Sequence, residues 1–185
     1  MLPKAQKYTY EEFLEITKDV ERAEFIDGEI IYQATPTLRH QRILGNLLFE
    51  FKQYLKGKSC EPFIAPFDII LKKENEEVKR VQPDLFVLCG DKPLDKNEFN
   101  CIPTLVIEIL SPSNASDDYI RKLNLYMRFQ VSEYWIVSPK SKTITVYSFD
   151  IEIEAYSEPI VYSKDDFVSS ILYNDLSIEL KSIFE

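Results

Sequence analysis

The sequence places one acid inside an otherwise apolar segment. Glu108 stands in residues 104–110 (TLVIEIL), where most of its neighbours are branched aliphatic side chains. Burying a carboxylate among such side chains costs free energy unless the charge is paired or binds a cation. Two interpretations stay open: Glu108 pairs with a buried Arg or Lys, or it belongs to a metal or proton-transfer site.

A second acid begins a neighbouring apolar segment. Asp84 follows Pro83 and precedes the run Leu-Phe-Val-Leu at residues 85–88. A Pro-Asp pair also starts strands for purely structural reasons. If the two predicted strands run side by side, however, Asp84 and Glu108 lie within reach of one ion. Two carboxylates, a backbone carbonyl and waters form an oxygen-rich site that suits Mg²⁺ or Mn²⁺.

A basic side chain lies on the helix predicted after Glu108. Asp118 and Lys122 are four residues apart and therefore share a helix face, with Tyr126 one turn further along. If this helix packs on the sheet, Lys122 overlooks the two carboxylates. A lysine there could orient or deprotonate a water, or neutralise charge that develops on a phosphate. The alternative is an ordinary Asp–Lys pair on a helix surface.

The elements that position these residues follow from hydrophobic periodicity and turn signals. Thr9 and Glu12 form a capping-box pattern, and Asp27-Gly28 is a hairpin turn. In chain order we predict a helix over 10–19, strands over 23–26 and 29–32, a long helix from 37 that ends at Gly57, strands over 63–71, 84–89 and 104–110, a helix over 117–129, strands over 133–137 and 143–149, and one or two short strands before a final turn near 178–184. Residues 72–80 are predicted as a polar turn. This order describes a mixed sheet flanked by helices, an α/β or α+β fold, in a single domain over 1–185.

Charge is unevenly distributed along the 185 residues. The net charge is −9, and residues 150–185 hold nine acids and two bases. The rest of the chain is therefore nearly neutral and carries several basic clusters. Because phosphate binding depends on local potential rather than net charge, the acidity neither implies nor excludes a nucleic-acid partner.

The number of cysteines and the hydropathy of the chain indicate a cellular compartment. Cys60, Cys89 and Cys101 form no CxxC pair, which argues against a zinc site and against a disulfide framework. An odd cysteine count fits a reducing, cytoplasmic environment. No apolar run approaches the ~20 residues that a membrane span requires, and the first residues lack the apolar stretch of a signal peptide. We expect no membrane partner.

These positions resemble the PD-(D/E)xK nuclease superfamily, in which Pro-Asp, an acid on the next core strand and a lysine two residues later bind metal and cut phosphodiesters. Here the position two after Glu108 is Leu110. Along nearly the whole chain, the sequence resembles a large bacterial family within it, named putative restriction endonucleases. The motifs that carry this resemblance are Glu108-Ile109-Leu110-Ser111-Pro112-Ser113, Asp118, Lys122, Tyr126, Glu133-Tyr134-Trp135, residues 24–29 and His40-Gln41. The sequence departs from the family pattern at Gln130 and Ser138, where Gly and Asp are usual.

The resemblance implies a restriction-endonuclease-like core and a set of roles. Asp84, Glu108 and the backbone carbonyl of Ile109 would hold one or two Mg²⁺ or Mn²⁺ ions. Lys122, migrated to the helix, would take the role that Leu110 cannot, with Asp118 orienting it or approaching the metal. Glu29 and His40 would lie at the rim of the site, although an exposed hairpin acid and a structural histidine are the alternatives. Tyr134 and Trp135 are expected in the core.

The leading hypothesis is a Mg²⁺-dependent endonuclease that hydrolyses DNA phosphodiesters, with a homodimer as a candidate assembly through the apolar edge at residues 156–162. A second hypothesis is a nuclease-like module that binds nucleic acid or a partner protein without cutting. The −9 charge and the missing lysine at position 110 favour this second hypothesis. A glycosidase-type carboxylate pair is less favoured, because the sequence shows no platform of exposed aromatics for a sugar.

Overall fold

The computed structural model describes residues 6–74, 76–90, 98–111 and 117–185, without the side chains of 98, 99, 117 and 118. The helices are α1 (Tyr10–Ile16), α2 (Leu38–Leu55), α3 (Asp117–Arg128) and α4 (Leu180–Phe184). The strands are β1 (Ala23–Ile26), β2 (Glu29–Tyr32), β3 (Cys60–Ile64), β4 (Asp68–Leu71), β5 (Lys79–Val81), β6 (Leu85–Cys89), β7 (Glu98–Phe99), β8 (Leu105–Ile109), β9 (Glu133–Ser138), β10 (Thr143–Asp150), β11 (Ala155–Tyr156), β12 (Ile160–Tyr162), β13 (Phe167–Ser169) and β14 (Ser177–Glu179).

The main sheet has the strand order β11-β10-β9-β8-β6-β3, with β12 also paired to β10. Strands β8 and β9 are parallel, whereas β6–β8, β3–β6 and β9–β10 are antiparallel. The sheet is therefore mixed, as the sequence predicts. All five residues of β8 are buried, because this central strand is covered on both faces.

Helices cover both faces of the main sheet. On one face, α2 and α4 pack against alternate residues of the central strands, and Phe51 lies edge-on to Trp135. On the other face, α3 connects β8 to the parallel strand β9 and buries Tyr126 against Tyr134. Tyr134 and Trp135 are buried in the core, which confirms their predicted placement.

A second sheet, with the order β2-β1-β5-β4-β7, packs on the α3 side. Its existence corrects two predictions. The single strand predicted over 63–71 is divided at Ala65-Pro66 into β3 and β4, which lie in different sheets, and Pro66 has no amide hydrogen to offer a continuous ladder. The polar turn predicted over 72–80 contains part of β5, where Lys79 is buried beside the Asp27 carboxylate at 3.2 Å.

The first elements follow their sequence signals closely. Thr9 and Glu12 form both bonds of the capping box, although α1 ends at Ile16 rather than at Asp19. The hairpin turn places Asp27 at φ 51° and Gly28 at φ 79°, the left-handed geometry that this turn type requires.

A disulfide joins Cys60 and Cys89, whose residues lie opposite each other on the antiparallel strands β3 and β6. The expectation that the cysteines form no disulfide is therefore wrong. Residue spacing could not show this pairing, because it depends on the register between two strands. Cys101 is a free thiol. Among the described residues, no helix has both the length and the apolar character needed to cross a bilayer.

Hydrogen bonds to a buried acid hold the C-terminal segment against the main sheet. Glu133 on β9 accepts hydrogen bonds from the Ser170 hydroxyl at 2.7 Å, the Ile171 amide at 2.6 Å and the Trp135 indole at 3.2 Å. Burial raises the pKa of Glu133 even though these hydrogen bonds act to lower it. The hairpin β13–β14 and α4 follow this anchored segment.

Candidate active site

Strand pairing brings Asp84 and Glu108 to the same place. Leu85 lies opposite Ile107 and Phe86 opposite Val106 in the antiparallel β6–β8 ladder. Asp84 directly precedes Leu85 and Glu108 directly follows Ile107, so both acids lie at the same end of this ladder. Both residues are only 8% exposed and line one cavity of about 640 Å³.

The carboxylate of Asp84 is held from two sides. Its Oδ2 accepts a hydrogen bond from the Ile109 amide at 2.8 Å and lies 3.1 Å from Nε2 of His40, in the first turn of α2. Within the described part of the chain, Oδ1 makes no hydrogen bond. One oxygen of Asp84 is therefore oriented by the protein, and the other is available to a ligand in the cavity.

Helix α3 presents two donors to Glu108. Lys122 Nζ lies 3.0 Å from Glu108 Oε1, and the Tyr126 hydroxyl donates to the same oxygen at 2.9 Å. The two donors are four residues apart on one face of α3, which explains why both reach this carboxylate. Desolvation, together with the charges of Glu108 and Glu24, raises the pKa of Tyr126 well above its ordinary value. Tyr126 therefore remains a hydrogen-bond donor.

A third acid, Glu24 on β1, completes the cluster. Its Oε1 lies 3.1 Å from Lys122 Nζ and accepts a hydrogen bond from the Gln82 amide at 2.9 Å. Glu24 is 1% exposed and Lys122 is 3% exposed, so this ion pair is buried. Sequence reasoning did not select Glu24 as a site residue. The signal was available, because Glu24 interrupts the apolar segment Ala23–Ile26 just as Glu108 interrupts β8.

The cluster contains more carboxylates than ammonium groups. Asp84, Glu108 and Glu24 contribute three carboxylates, whereas Lys122 is the ammonium that contacts two of them. All of these side chains lie in a largely desolvated cavity. Desolvated carboxylates favour cationic partners, so the cluster suits a bound cation.

The oxygen donors fit a hard divalent cation that also takes ligands from outside the protein. Within the described ranges, no three His, Cys, Asp or Glu side chains form a group that could hold a metal ion by themselves. Mg²⁺ typically binds one or two carboxylates and completes its octahedron with waters and substrate phosphates. Asp84 and Glu108, with Ile109 also lining the cavity, match that requirement.

The remaining predicted residues are placed differently. His40 lines the cavity beside Asp84. Glu29 is not among the residues that line it; its carboxylate lies 3.0 Å from Lys7 and 3.1 Å from Arg121. Asp118 is in α3, but its side chain lies outside the described part of the structure.

Comparison with known proteins gives consistent matches along the chain. Residues 10–181 match the sequence model of the Uma2 family, described as "Putative restriction endonuclease". The uncharacterized protein slr1290 of Synechocystis sp. is 30% identical over 143 residues, covering 76% of this chain and 74% of that protein. The uncharacterized protein sll1609 of the same organism is 27% identical over 120 residues, covering 63% and 66%.

The fold also matches a solved structure. A crystal structure described as a putative nuclease belonging to DUF820, from Anabaena variabilis, superposes with a TM-score of 0.78 at 20% sequence identity. The match covers 95% of this chain and 97% of that one. The two proteins therefore share their fold over essentially their whole length.

Proposed function

The chain belongs to the Uma2 family of putative restriction endonucleases, and from that premise we propose that it is a metal-dependent endonuclease that hydrolyses DNA phosphodiesters. One observation carries the proposal. Asp84 and Glu108 line one cavity at the same end of the paired strands β6 and β8, with Lys122 in contact with Glu108. Two acids and a lysine are the set that the resemblance to PD-(D/E)xK nucleases implies, although here the lysine comes from a helix.

Asp84, Glu108 and the backbone carbonyl of Ile109 are the groups that would hold Mg²⁺ or Mn²⁺. When bound, such an ion lowers the pKa of a water and stabilises charge on the phosphoryl oxygens. The protein prepares these ligands in advance. The Ile109 amide and His40 fix Oδ2 of Asp84, and Tyr126 and Lys122 fix Oε1 of Glu108. Little reorganisation is then needed during the reaction.

Lys122 supplies a positive charge beside the carboxylate of Glu108. Its ammonium donates to Glu108 and Glu24, and the same positive charge can orient the attacking water or stabilise the phosphorane. Water adds to phosphorus and gives up one proton, the bond from phosphorus to the leaving oxygen breaks, and that oxygen takes up a proton, so no net proton is consumed. Glu24 touches neither substrate nor water in this scheme. It acts as a positioning residue that keeps Lys122 over the carboxylates.

A non-cutting nucleic-acid-binding module is the second candidate. The contact between Lys122 and Glu108 favours it, because a carboxylate that is already paired has less need of a cation. The two candidates differ in whether Asp84 and Glu108 bind an ion.

The test is a nicking assay on supercoiled plasmid with Mg²⁺, with Mn²⁺ or with EDTA. We expect cleavage by the natural protein with either ion, none with EDTA, and none by Glu108→Gln, whose thermal melting should stay cooperative. Glu61→Gln, which removes an exposed acid of β3, is the matched control and should cut normally. Full activity of Glu108→Gln would eliminate the proposed site. Absence of both cleavage and ion-dependent stabilisation in the natural protein would favour the binding module.

A further inference from the structure

Basic side chains from three separate parts of the chain also line the cavity. Arg22 precedes β1, Arg39 lies in the first turn of α2, and Lys140 follows β9 in the turn to β10. Arg39 and Lys140 are exposed, whereas the carboxylates of Asp84 and Glu108 are nearly buried. The cavity therefore has an acidic interior and basic groups at its mouth. The chemistry proposed above uses none of these three residues.

Arg22 is oriented without being neutralised. Its carbonyl accepts from the Gln33 amide at 3.0 Å, which extends the β1–β2 ladder by one residue pair. Its Nη2 donates to the Gln33 side-chain oxygen at 2.9 Å, and its Nε is buried without a hydrogen-bond partner. A neutral amide fixes the guanidinium in place and leaves its full positive charge and further donors to serve a ligand.

Other basic residues near the hairpin are paired with acids. Arg121 lies 3.1 Å from Glu29, and Arg128 lies 3.0 Å from Asp27. Arg22, Arg39 and Lys140 form no ion pair within the described ranges. Three positive charges without an ion-paired acid, gathered around one cavity on a chain of net charge −9, provide a local positive potential that suits an approaching anion.

We propose that Arg22, Arg39 and Lys140 form a phosphate rim that binds the nucleic-acid backbone on either side of the phosphate presented to Asp84 and Glu108. This inference rests on the proposed nuclease function, since it assigns the contacts that hold its substrate. The rim offsets the repulsion between a polyanion and the acidic interior. Backbone contacts of this kind position a substrate without reading its sequence, so binding is salt-dependent and sequence-tolerant.

The experiment measures binding without cleavage. Fluorescence anisotropy in EDTA follows labelled duplex DNA, single-stranded DNA and RNA oligonucleotides across a salt series. The triple variant Arg22→Gln, Arg39→Gln, Lys140→Gln should bind at least about tenfold more weakly at moderate salt. Its slope of log affinity against log salt should fall by about one for each basic side chain that no longer binds a phosphate. If the Arg22 change impairs folding, the double variant Arg39→Gln, Lys140→Gln replaces the triple variant in the same measurement, because it alters only exposed residues.

A control with the same charge change is Lys52→Gln, Lys56→Gln, Lys181→Gln, at exposed positions that do not line the cavity. It should bind within about twofold of the natural protein. Three outcomes would each overturn the rim: both triple variants lose the same affinity, the rim variant keeps the affinity of the natural protein, or the natural protein does not bind. Plasmid nicking is measured separately. If the rim variant binds DNA as tightly as the natural protein and also cuts, only the rim is rejected. If binding depends on the rim but no ion-dependent cutting occurs, only the nuclease function is rejected.

Discussion

Lys122 Nζ lies 3.1 Å from Oε1 of Glu24, so helix α3 on the main sheet is tied to the first strand of the second sheet. Both side chains are buried, and Glu24 also accepts from the Gln82 amide in the segment between β5 and β6. The site is thus assembled from both sheets and α3. The second sheet contributes a carboxylate that sets the position of the lysine.

Glu24→Gln should lower turnover more than it lowers substrate affinity. The amide oxygen can still accept from Gln82 and Lys122, but the charge that holds the ammonium is removed. We expect kcat to fall about tenfold or more with KM nearly unchanged, because a positioning interaction acts on the transition state. Steady-state cleavage of a labelled oligonucleotide gives both constants.

The control for Glu24→Gln is again Glu61→Gln, and thermal melting reports the stability of both variants. Removing one hydrogen-bonded charge should cost about 1–3 kcal/mol. A purely structural role for Glu24 would show as reduced stability with kcat intact at temperatures where the variant is folded.

Lys122→Met should destabilise the protein and increase its response to divalent cations. The change leaves Glu24 and Glu108 without the ammonium that contacts both. Breaking a buried pair in this way costs about 3–5 kcal/mol. Because the cavity then has one positive charge fewer beside its carboxylates, Mn²⁺ should raise the melting temperature of the variant more than that of the natural protein.

Calorimetric melts with and without Mn²⁺ measure this difference, and Lys52→Met on the exposed face of α2 is the control. If Lys122→Met does not fold, Lys122→Gln retains two amide donors and allows the same comparison. Equal shifts for the variant and the natural protein would show that the Lys122 charge does not oppose ion binding beside Glu108, and no shift in either protein would mean that no ion binds there.

Those members of the candidate site whose chemistry is local could be predicted from the sequence. Glu108 and Asp84 are recognisable because an acid in or beside an apolar strand needs a positively charged partner. Lys122 is recognisable because helical spacing places it on the same face of its helix as Asp118 and Tyr126. Glu24 satisfies the same criterion as Glu108. The sequence indicates it as part of a hairpin strand and of the motif at residues 24–29, but not as a site residue, because its partner Lys122 lies far away in the chain.

Neither the second sheet nor the disulfide could be predicted from local sequence patterns. Pattern rules treat a lysine as exposed, whereas Lys79 is buried in β5 beside Asp27 and Glu77. The register of β3 against β6 pairs Cys60 with Cys89, and register arises from tertiary packing rather than from spacing along the chain.

His40→Ala should lower activity and metal affinity, because it removes one of the two groups that orient Oδ2 of Asp84. The Ile109 amide still donates to Oδ2, so Asp84 keeps one of its two partners. We expect about a tenfold lower cleavage rate and weaker Mn²⁺ binding by titration calorimetry. His40→Gln can still donate an N–H to Asp84 and should recover much of both. Equal behaviour of the two variants would show that the His40–Asp84 contact does not position the carboxylate.

The disulfide predicts a definite thiol count. In denaturant without reductant, the oxidised chain should expose one reactive thiol, from Cys101, and three after reduction. The double variant Cys60→Ser, Cys89→Ser should lose about 2–4 kcal/mol of stability relative to the oxidised protein. Cys101→Ser is the control and should leave the disulfide intact. Three reactive thiols before reduction, in protein purified without reductant, would contradict the pairing.

Glu133 should make stability decline as the pH rises above the ordinary glutamate value of 4.5. Its folded-state pKa is raised by burial, so between the unfolded and folded pKa values the native state binds more protons than the unfolded state. The free energy of unfolding therefore falls through that window and levels off above the folded pKa. Glu133→Gln removes this dependence but turns an amide N–H₂ toward a site lined by the donors Ser170, Ile171 and Trp135. The stability advantage of the natural protein over Glu133→Gln should consequently be largest at the acidic end and shrink as the pH rises. Urea unfolding at a series of pH values from 4 upward measures it, and an advantage that grows with pH would show that the hydrogen bonds to Glu133 outweigh its desolvation.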